Sequence, residues 1–443
     1  MSRADHDPDA VHATESPEGP PDESAGLTRR GLLAGAAGVV GGVVGGALLG
    51  ALPTMVRGQG TPAVPAPRPT VPADPTKVTG APTRAVGQRS PFETPARAPV
   101  GETVGNSLTP LQDLTGTVTP SDLHFERHHA GVPTIDPARH TLMVHGLVDS
   151  PTDFSLDDIR RFPQVTRTHF IECSGNGRNA YREPKPDMTP QKVSGLTANT
   201  EWTGVPLATL FREVGVRREA TWFLAEGGDA CRMTRSVPVA KAWDDALIAW
   251  AQNGEPLRPE QGYPLRLVLP GWEGNINVKW LHRIELGTRP WMTRWETSKY
   301  TDPLPNGTAR MFSMELDAKS IITSPAHPAV LAAKGWRPIT GLAWSGRGCV
   351  TKVEVSTDGG ASWHQADLLG PSLPKAHVRF QSMWNWTGGE AVLLSRATDD
   401  TGYVQPAYRK LVEVRGIGTD FHFNPIVGWR VQPDGRVDFL GET

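Results

Sequence analysis

The residues able to do chemistry cluster in three short segments. The first is HFIECSGNGRNAY, in which an apolar run delivers Cys173 straight into Ser174-Gly175-Asn176-Gly177. A cysteine at the end of a strand and before a glycine-rich turn is presented rather than packed, and Arg178, five residues on, can stabilise its thiolate. The alternative reading of Cys173 is a small buried apolar residue. The Cys-Gly-x-Cys-Trp context of a cysteine protease is absent. The second segment, FERHHAGVPTIDP, places Phe125, Arg127, His128 and His129 before a proline-containing turn. Without a carboxylate or a further histidine at ligand spacing, it reads as a cationic cradle for an anion, since arginine grips oxyanions in bidentate fashion, rather than as a zinc site. The third, GYPLRLVLPGWEGNINVKWLHRIELG, has Arg266 and Lys279 interrupting apolar runs on either side of a glycine-rich turn. A charge inside such a run needs a buried anionic partner or a water-facing end.

These segments require a scaffold of short elements. The chain has 443 residues, enough for two or three domains, and its 47 glycines and 41 prolines favour turns and short strands over long helices. The formal charge of −2 gives no field that would favour nucleic acid or an anionic membrane. Three cysteines (Cys173, Cys231 and Cys349) cannot make a disulfide framework, a four-cysteine zinc site or a four-cysteine iron–sulfur cluster, and no Cys-x-x-Cys-His motif attaches a haem. Cys231 and Cys349 read as structural.

From about residue 106 to 310, apolar runs such as TLMVHGLV and PLRLVLPG alternate with helical stretches such as PLATLFREVGV, which predicts a mixed α+β domain. From 311 to 443 the pattern changes. KVEVSTDGGASWHQADL alternates Val353 and Val355 with Lys352 and Glu354 before Asp358-Gly359-Gly360, a hairpin signal, and AVLLSRATD and KLVEVRGIG read as further strands of an immunoglobulin-like sandwich. Upstream, residues 1–56 comprise a polar, acidic stretch expected to be disordered, then Arg29-Arg30 before a glycine-rich apolar run. That pair and run resemble a twin-arginine export signal, with a membrane anchor as the other reading. Residues 57–105, rich in Pro, Thr and Ala, read as a linker.

Taken together, the segments resemble the sulfite oxidase family of molybdopterin enzymes over about residues 106–443. FERHHAGVP is similar to the family's Phe-x-Arg-Asn-His segment, ECSGNGR to its Cys-Ala-Gly-Asn-Arg-Arg segment, and GYPLRLVLPG with NVKWL to its pterin-binding strand pair. WETSKYTDPL resembles the segment carrying the active-site tyrosine, and SRATDDTGYVQP the end of the dimerisation domain. The resemblance implies an α+β molybdopterin-binding domain followed by an all-β immunoglobulin-like dimerisation sandwich. It implies Cys173 as the thiolate ligand of molybdenum, Arg127 and Arg178 lining an anionic-substrate pocket, and Tyr300 beside the reacting oxygen. Phe125, Arg127, His129, Asp229, Arg266, Asn277 and Lys279 fall where the family contacts the pterin and its phosphate. Arg430, in VGWRVQPDG, resembles a further pocket arginine from the second domain.

The departures point to a subgroup. His128 stands where the animal and plant enzymes have Asn, Gln261 where they have a pterin-contacting His, and KVSGLTANTEWTGV is shorter than theirs and lacks the Trp that walls the sulfite pocket. ERHHAGVPTIDPARHTLMVHGLVDSP and EWTGVPL resemble instead the molybdenum subunits of bacterial Sox sulfur-oxidation systems. The implied activity is oxidation of a sulfur substrate, sulfite first and carrier-bound sulfane sulfur second, with electrons passing to a c-type cytochrome. The implied assembly is a homodimer or a heterotetramer with a cytochrome subunit, in the periplasm or otherwise outside the cytoplasm. A sulfoxide reductase of the same superfamily is the enzyme alternative, against which the second domain argues. An exported binding module is the non-enzyme alternative.

Overall fold

The computed structural model describes Thr76 and residues 80–442 apart from Pro305, so the proposed export signal lies outside the described residues. Within the body Ala85–Thr443, the first half is built on two sheets. One orders strands Thr152–Ser155, Thr141–Gly146, Leu281–Gly287, Trp222–Gly227 and Thr234–Pro238, with a parallel pairing of Thr141–Gly146 on Leu281–Gly287 and antiparallel pairings elsewhere. Thr141–Gly146 alternates as its pattern demands, with Leu142 and Val144 wholly buried. The other sheet joins Val165–Glu172, Thr197–Pro206, Leu247–Gln252, Glu255–Pro256 and Arg266–Val268. Short helices cover them. Leu156–Arg160 starts from a capping box between Ser155 and Asp158, and Leu207–Glu213 buries Leu207, Leu210 and Phe211 in the same core as both sheets.

Ordered pairing starts upstream of the expected boundary at residue 106. Ala98–Gly101 pairs with Gly105–Leu108, which pairs with Glu126–His128, and Arg97 forms ion pairs with Glu126 and Glu260. The end of the proline-rich stretch is therefore part of the fold that carries Arg127.

The second half is a sandwich of two antiparallel sheets, Lys319–Ser324, Gly335–Trp344, Val378–Trp386 and Asp367–Leu369 against His364–Gln365, Val350–Ser356, Ala391–Asp399, Gly428–Val431 and Val437–Leu440. The expected hairpin forms, with Val355 opposite His364 and Glu354 opposite Gln365. Trp344, Phe380 and Trp429 fill the interior. One expectation fails: KLVEVRGIG is not a strand, because Tyr408–Arg415 is a helix. Tyr408 and Leu411, three residues apart, face inward with Val412 beside them, while Val414 is exposed, so the apolar residues follow the helical period rather than the alternate one.

Candidate active site

Strand Val165–Glu172 ends at the floor of a cavity of about 710 Å³, and Cys173 is the next residue. The Cys173 amide donates to the Leu196 carbonyl at 2.9 Å, and the Cys173 carbonyl accepts from the Asn176 amide at 2.9 Å, closing the turn. Gly177 takes a left-handed φ of 91° and starts helix Arg178–Arg182. Gly274 of the facing loop packs so closely that a Cβ there would sit 3.2 Å from the Cys173 Cα and 2.9 Å from the Glu172 carbonyl oxygen. Burial holds the Cys173 thiol above the usual thiol range, while the Gly175 amide, Arg127 and Arg178 pull in the opposite direction. Such a thiol stays protonated until a soft cation replaces the proton.

Glu172 fixes the floor from beneath. Its carboxylate accepts from Asn176 Nδ2 at 2.8 Å, from Trp344 Nε1 at 2.7 Å and from Lys319 Nζ at 2.9 Å, all buried. Lys319 and Trp344 belong to the sandwich, so the second domain anchors the thiol loop. His422 adds a backbone bond, its amide donating to the Ser174 carbonyl at 2.7 Å.

The cavity wall is cationic. Arg127 is braced by the carbonyls of Gly105 and His128. Arg178 donates through Nε and Nη2 to the Asp420 carbonyl at 3.1 and 3.0 Å and lies 5.5 Å from the Phe421 ring centre. Lys192, Arg294 and Lys299 also line the cavity, with Asp420. Tyr300 closes a single π-helical turn, Trp295–Lys299. Its hydroxyl is 2.8 Å from His129 Nε2. Burial pushes the Tyr300 phenol well above its usual range and brings the His129 imidazole down to about 4, with Arg127 adding to the latter. The ring is therefore neutral, and its Nε2 can accept the phenol's proton in a hydrogen bond.

Behind Arg127, His129, Cys173 and Tyr300 runs a narrow cleft lined also by Phe125, Asp229, Gln261, Arg266, Asn277, Lys279 and Trp280. Arg266 is 3% exposed, and its hydrogen bonds go to neutral acceptors, the carbonyls of Gln261 and Asn277. Its Nε has no partner, and burial lowers its pKa to about 9. Lys279 Nζ donates to the carbonyls of Arg127 and Glu260 at 3.2 and 2.9 Å and lies 3.0 Å from His128 Nδ1; burial, then Arg266, brings it down to about 7. Two cations whose hydrogen bonds go to neutral groups in one cleft call for an anion, and a terminal phosphate of a bound cofactor meets that need.

The sequence-derived residues divide into three groups. Cys173, Arg127, Arg178, His129 and Tyr300 meet at the cavity, and Phe125, Asp229, Arg266 and Lys279 meet along the cleft. Asn277 lines the cleft, but its amide is occupied in tying the loop, accepting from Leu269 N at 2.6 Å and donating to the carbonyls of Trp272 and Glu273. Arg430 lines neither the cavity nor the cleft. It sits on Gly428–Val431 between the wholly buried Trp429 and Val431, so alternation turns it outward, 3.8 Å from Glu390. The second domain contributes Asp420 and Phe421 instead, residues that no motif marked. Cys231, read as structural, also lines the cavity, its thiol donating to Asp229 at 2.8 Å. His128 and His129 hold no common metal geometry, since His128 pairs with Glu126 at 2.6 Å.

The oxidoreductase molybdopterin binding domain family matches residues 129–295, and the Mo-co oxidoreductase dimerisation domain family matches residues 310–428. The crystal structure of the sulfane dehydrogenase SoxCD from Paracoccus pantotrophus superposes with a TM-score of 0.80 at 42% identity, covering 82% of this chain and 96% of that one. Mitochondrial sulfite oxidase of Mus musculus is 30% identical over 68% of this chain and 60% of its own length. NADH nitrate reductase 2 of Phaseolus vulgaris is 33% identical over 63% of this chain and 35% of its own length. The chain thus belongs to the sulfite oxidase family of molybdopterin oxidoreductases, and it spans less than two thirds of the length of these two curated relatives.

Proposed function

We propose that this chain oxidises an anionic sulfur substrate, with molybdenum-molybdopterin held by Cys173 and the cleft behind it. The observation that carries the reading is the joining of two compartments at one thiol. The cationic cavity opens in front of Cys173, and the cleft with Arg266 and Lys279 lies behind. Cys173 would give the metal its protein ligand, and Arg266 and Lys279 would take the cofactor's phosphate. When bound, the cofactor supplies two-electron oxygen-transfer chemistry. The chain's own residues do the rest. Arg127 and Arg178 draw in and orient the anion, and the neutral Tyr300–His129 pair presents a hydroxyl to the reacting centre without adding charge. With sulfite, the balance is sulfite plus water giving sulfate, two protons and two electrons. The electrons pass one at a time to an external acceptor, which we assign to a c-type cytochrome.

Sulfite is the first substrate. A sulfane sulfur group carried on a protein segment is the second, supported by the likeness to the sulfane dehydrogenase SoxCD. We further propose export by the twin-arginine route on the strength of Arg29-Arg30 and the run after it, and assembly as a homodimer or with a cytochrome subunit. The test is ferricyanide reduction by purified, molybdenum-loaded protein given sulfite, with Cys173→Ser as control. Sulfite turnover that vanishes in the variant is the expected result. Bound molybdenum without sulfite turnover would overturn the first substrate and direct the assay to carrier-bound sulfur.

A further inference from the structure

The wall behind Tyr300 contains a buried charge cluster that the reading above leaves without a task. Arg235, on strand Thr234–Pro238, is 1% exposed. Its Nη2 donates to Glu273 Oε1 at 3.1 Å, and its Nε lies 3.8 Å from Glu296 Oε1. Nε and Nη1 have no hydrogen-bond partner. The guanidinium carbon instead stands 5.2 Å from the centre of the Tyr300 ring.

Both carboxylates are themselves held. Glu273 Oε2 is 3.4 Å from His422 Nε2. Glu296 accepts from the Ser236 amide, from Ser236 Oγ at 3.1 Å and from the Thr293 amide at 3.0 Å. Glu296 also lies in the π-helical turn that Tyr300 closes. A buried arginine with two unsatisfied donor atoms is a poor way to stabilise a fold, because a hydrocarbon of similar size avoids the desolvation cost. Its outstanding contact is a cation facing an aromatic ring in a dry site, where that attraction is strongest. Phe421, with its ring centre 5.1 Å away, packs on Tyr300 as well, and His129 holds the hydroxyl.

We propose that Arg235 is a positioning residue for Tyr300: fixed by Glu273 and Glu296, its guanidinium clamps the phenol ring so that the hydroxyl stays on His129 at the cavity wall beside Cys173. The inference rests on Tyr300 serving the reaction, but the clamp itself can be measured without turnover. The chain has five tyrosines, so 3-fluorotyrosine labelling gives a simple ¹⁹F spectrum in which Tyr300→Phe identifies one line.

Arg235→Gln is expected to move or broaden the Tyr300 line, with the other lines unmoved, in protein with and without cofactor. Arg235→Lys keeps the charge but cannot span both carboxylates and the ring, so an intermediate displacement is expected. In loaded enzyme, kcat should fall by about tenfold with KM little changed, and Arg235→Gln should cost nothing further in a Tyr300→Phe background. An unmoved Tyr300 line in a folded Arg235→Gln protein overturns the proposal, as does full additivity of the two kinetic losses. If Arg235→Gln does not fold, an unmoved line in Arg235→Lys overturns it. If the loaded enzyme has no sulfur activity, the functional reading fails while the ¹⁹F result still decides the clamp.

Discussion

The two compartments that meet at Cys173 treat positive charge in opposite ways. In the front cavity, Arg178 is more than a third exposed and pairs with Asp420 at 3.3 Å. In the rear cleft, Arg266 is buried with one nitrogen unpaired, and Lys279 hydrogen-bonds only to neutral groups, with the Glu126, Asp229 and Glu260 carboxylates acting on it from beyond bonding distance. A solvated, partly compensated cation suits a ligand that must arrive and leave. A desolvated cation with no anion bonded directly to it favours a ligand that arrives once and stays, because a bound anion lowers its electrostatic cost. On the proposed reading, one chain separates turnover from retention by solvent access and pairing, using the same residue types.

The largest break in this comparison is expected from Cys173→Ser, which on the proposed reading removes the soft ligand shared by both compartments. Turnover should fall at least roughly a thousandfold, about 4 kcal/mol of barrier, in a steady-state assay. Arg266→Ala should act on retention: the truncation costs about 2–5 kcal/mol of cofactor affinity, seen as loss of molybdenum and pterin during gel filtration, with substrate KM unchanged in whatever enzyme stays loaded. Arg178→Ala should do the reverse, raising KM about tenfold at full cofactor content. Equal effects of the two arginine variants on KM would erase the distinction.

The cleft also makes a pH prediction. Lys279, lowered to about 7 in the folded cofactor-free protein, titrates near its ordinary range of about 10.4 when unfolded. Between those values the unfolded chain binds more protons, so the stability of cofactor-free protein should rise as pH climbs from about 7 towards 10. Denaturant midpoints should show this rise, and Lys279→Met should reduce it. Cofactor phosphate restores the charged form, so loaded protein should lack most of the slope. The smallest effect belongs to Arg430→Ala: a solvated pair is worth about 0–1 kcal/mol, and kinetics should stay within about twofold of the parent.

What could be read from the sequence follows from how locally each feature is encoded. The Cys173 turn, the Asp358-Gly359-Gly360 hairpin, and Arg266 and Lys279 within apolar runs are each decided by a few neighbouring residues and are legible from them. Asp420 and Phe421 reach the cavity from a stretch with no periodicity, so nothing marked them. Arg235 and Glu296 meet across 61 positions, and their pairing exists only after folding. Arg430 is the opposite case. Its short motif matched, but the alternation of Trp429 and Val431 around it already turned it outward. Tyr408–Arg415 hides its helix in the sequence because valines at 412 and 414 imitate a strand, whereas the contacts follow Tyr408 and Leu411.

The clasp of Glu172 by Lys319 and Trp344 bears on how such a protein matures. Translation runs from the first residue to the last, so the thiol loop emerges long before the side chains that brace it. Its backbone tie to His422 reaches 248 positions along the chain from Ser174. A nascent chain ending near residue 310 would hold Cys173 through Leu196 and Asn176 but lack the Lys319, Trp344 and His422 braces. The thiol loop is therefore expected to be fully braced only once the second domain has been made and has folded against it.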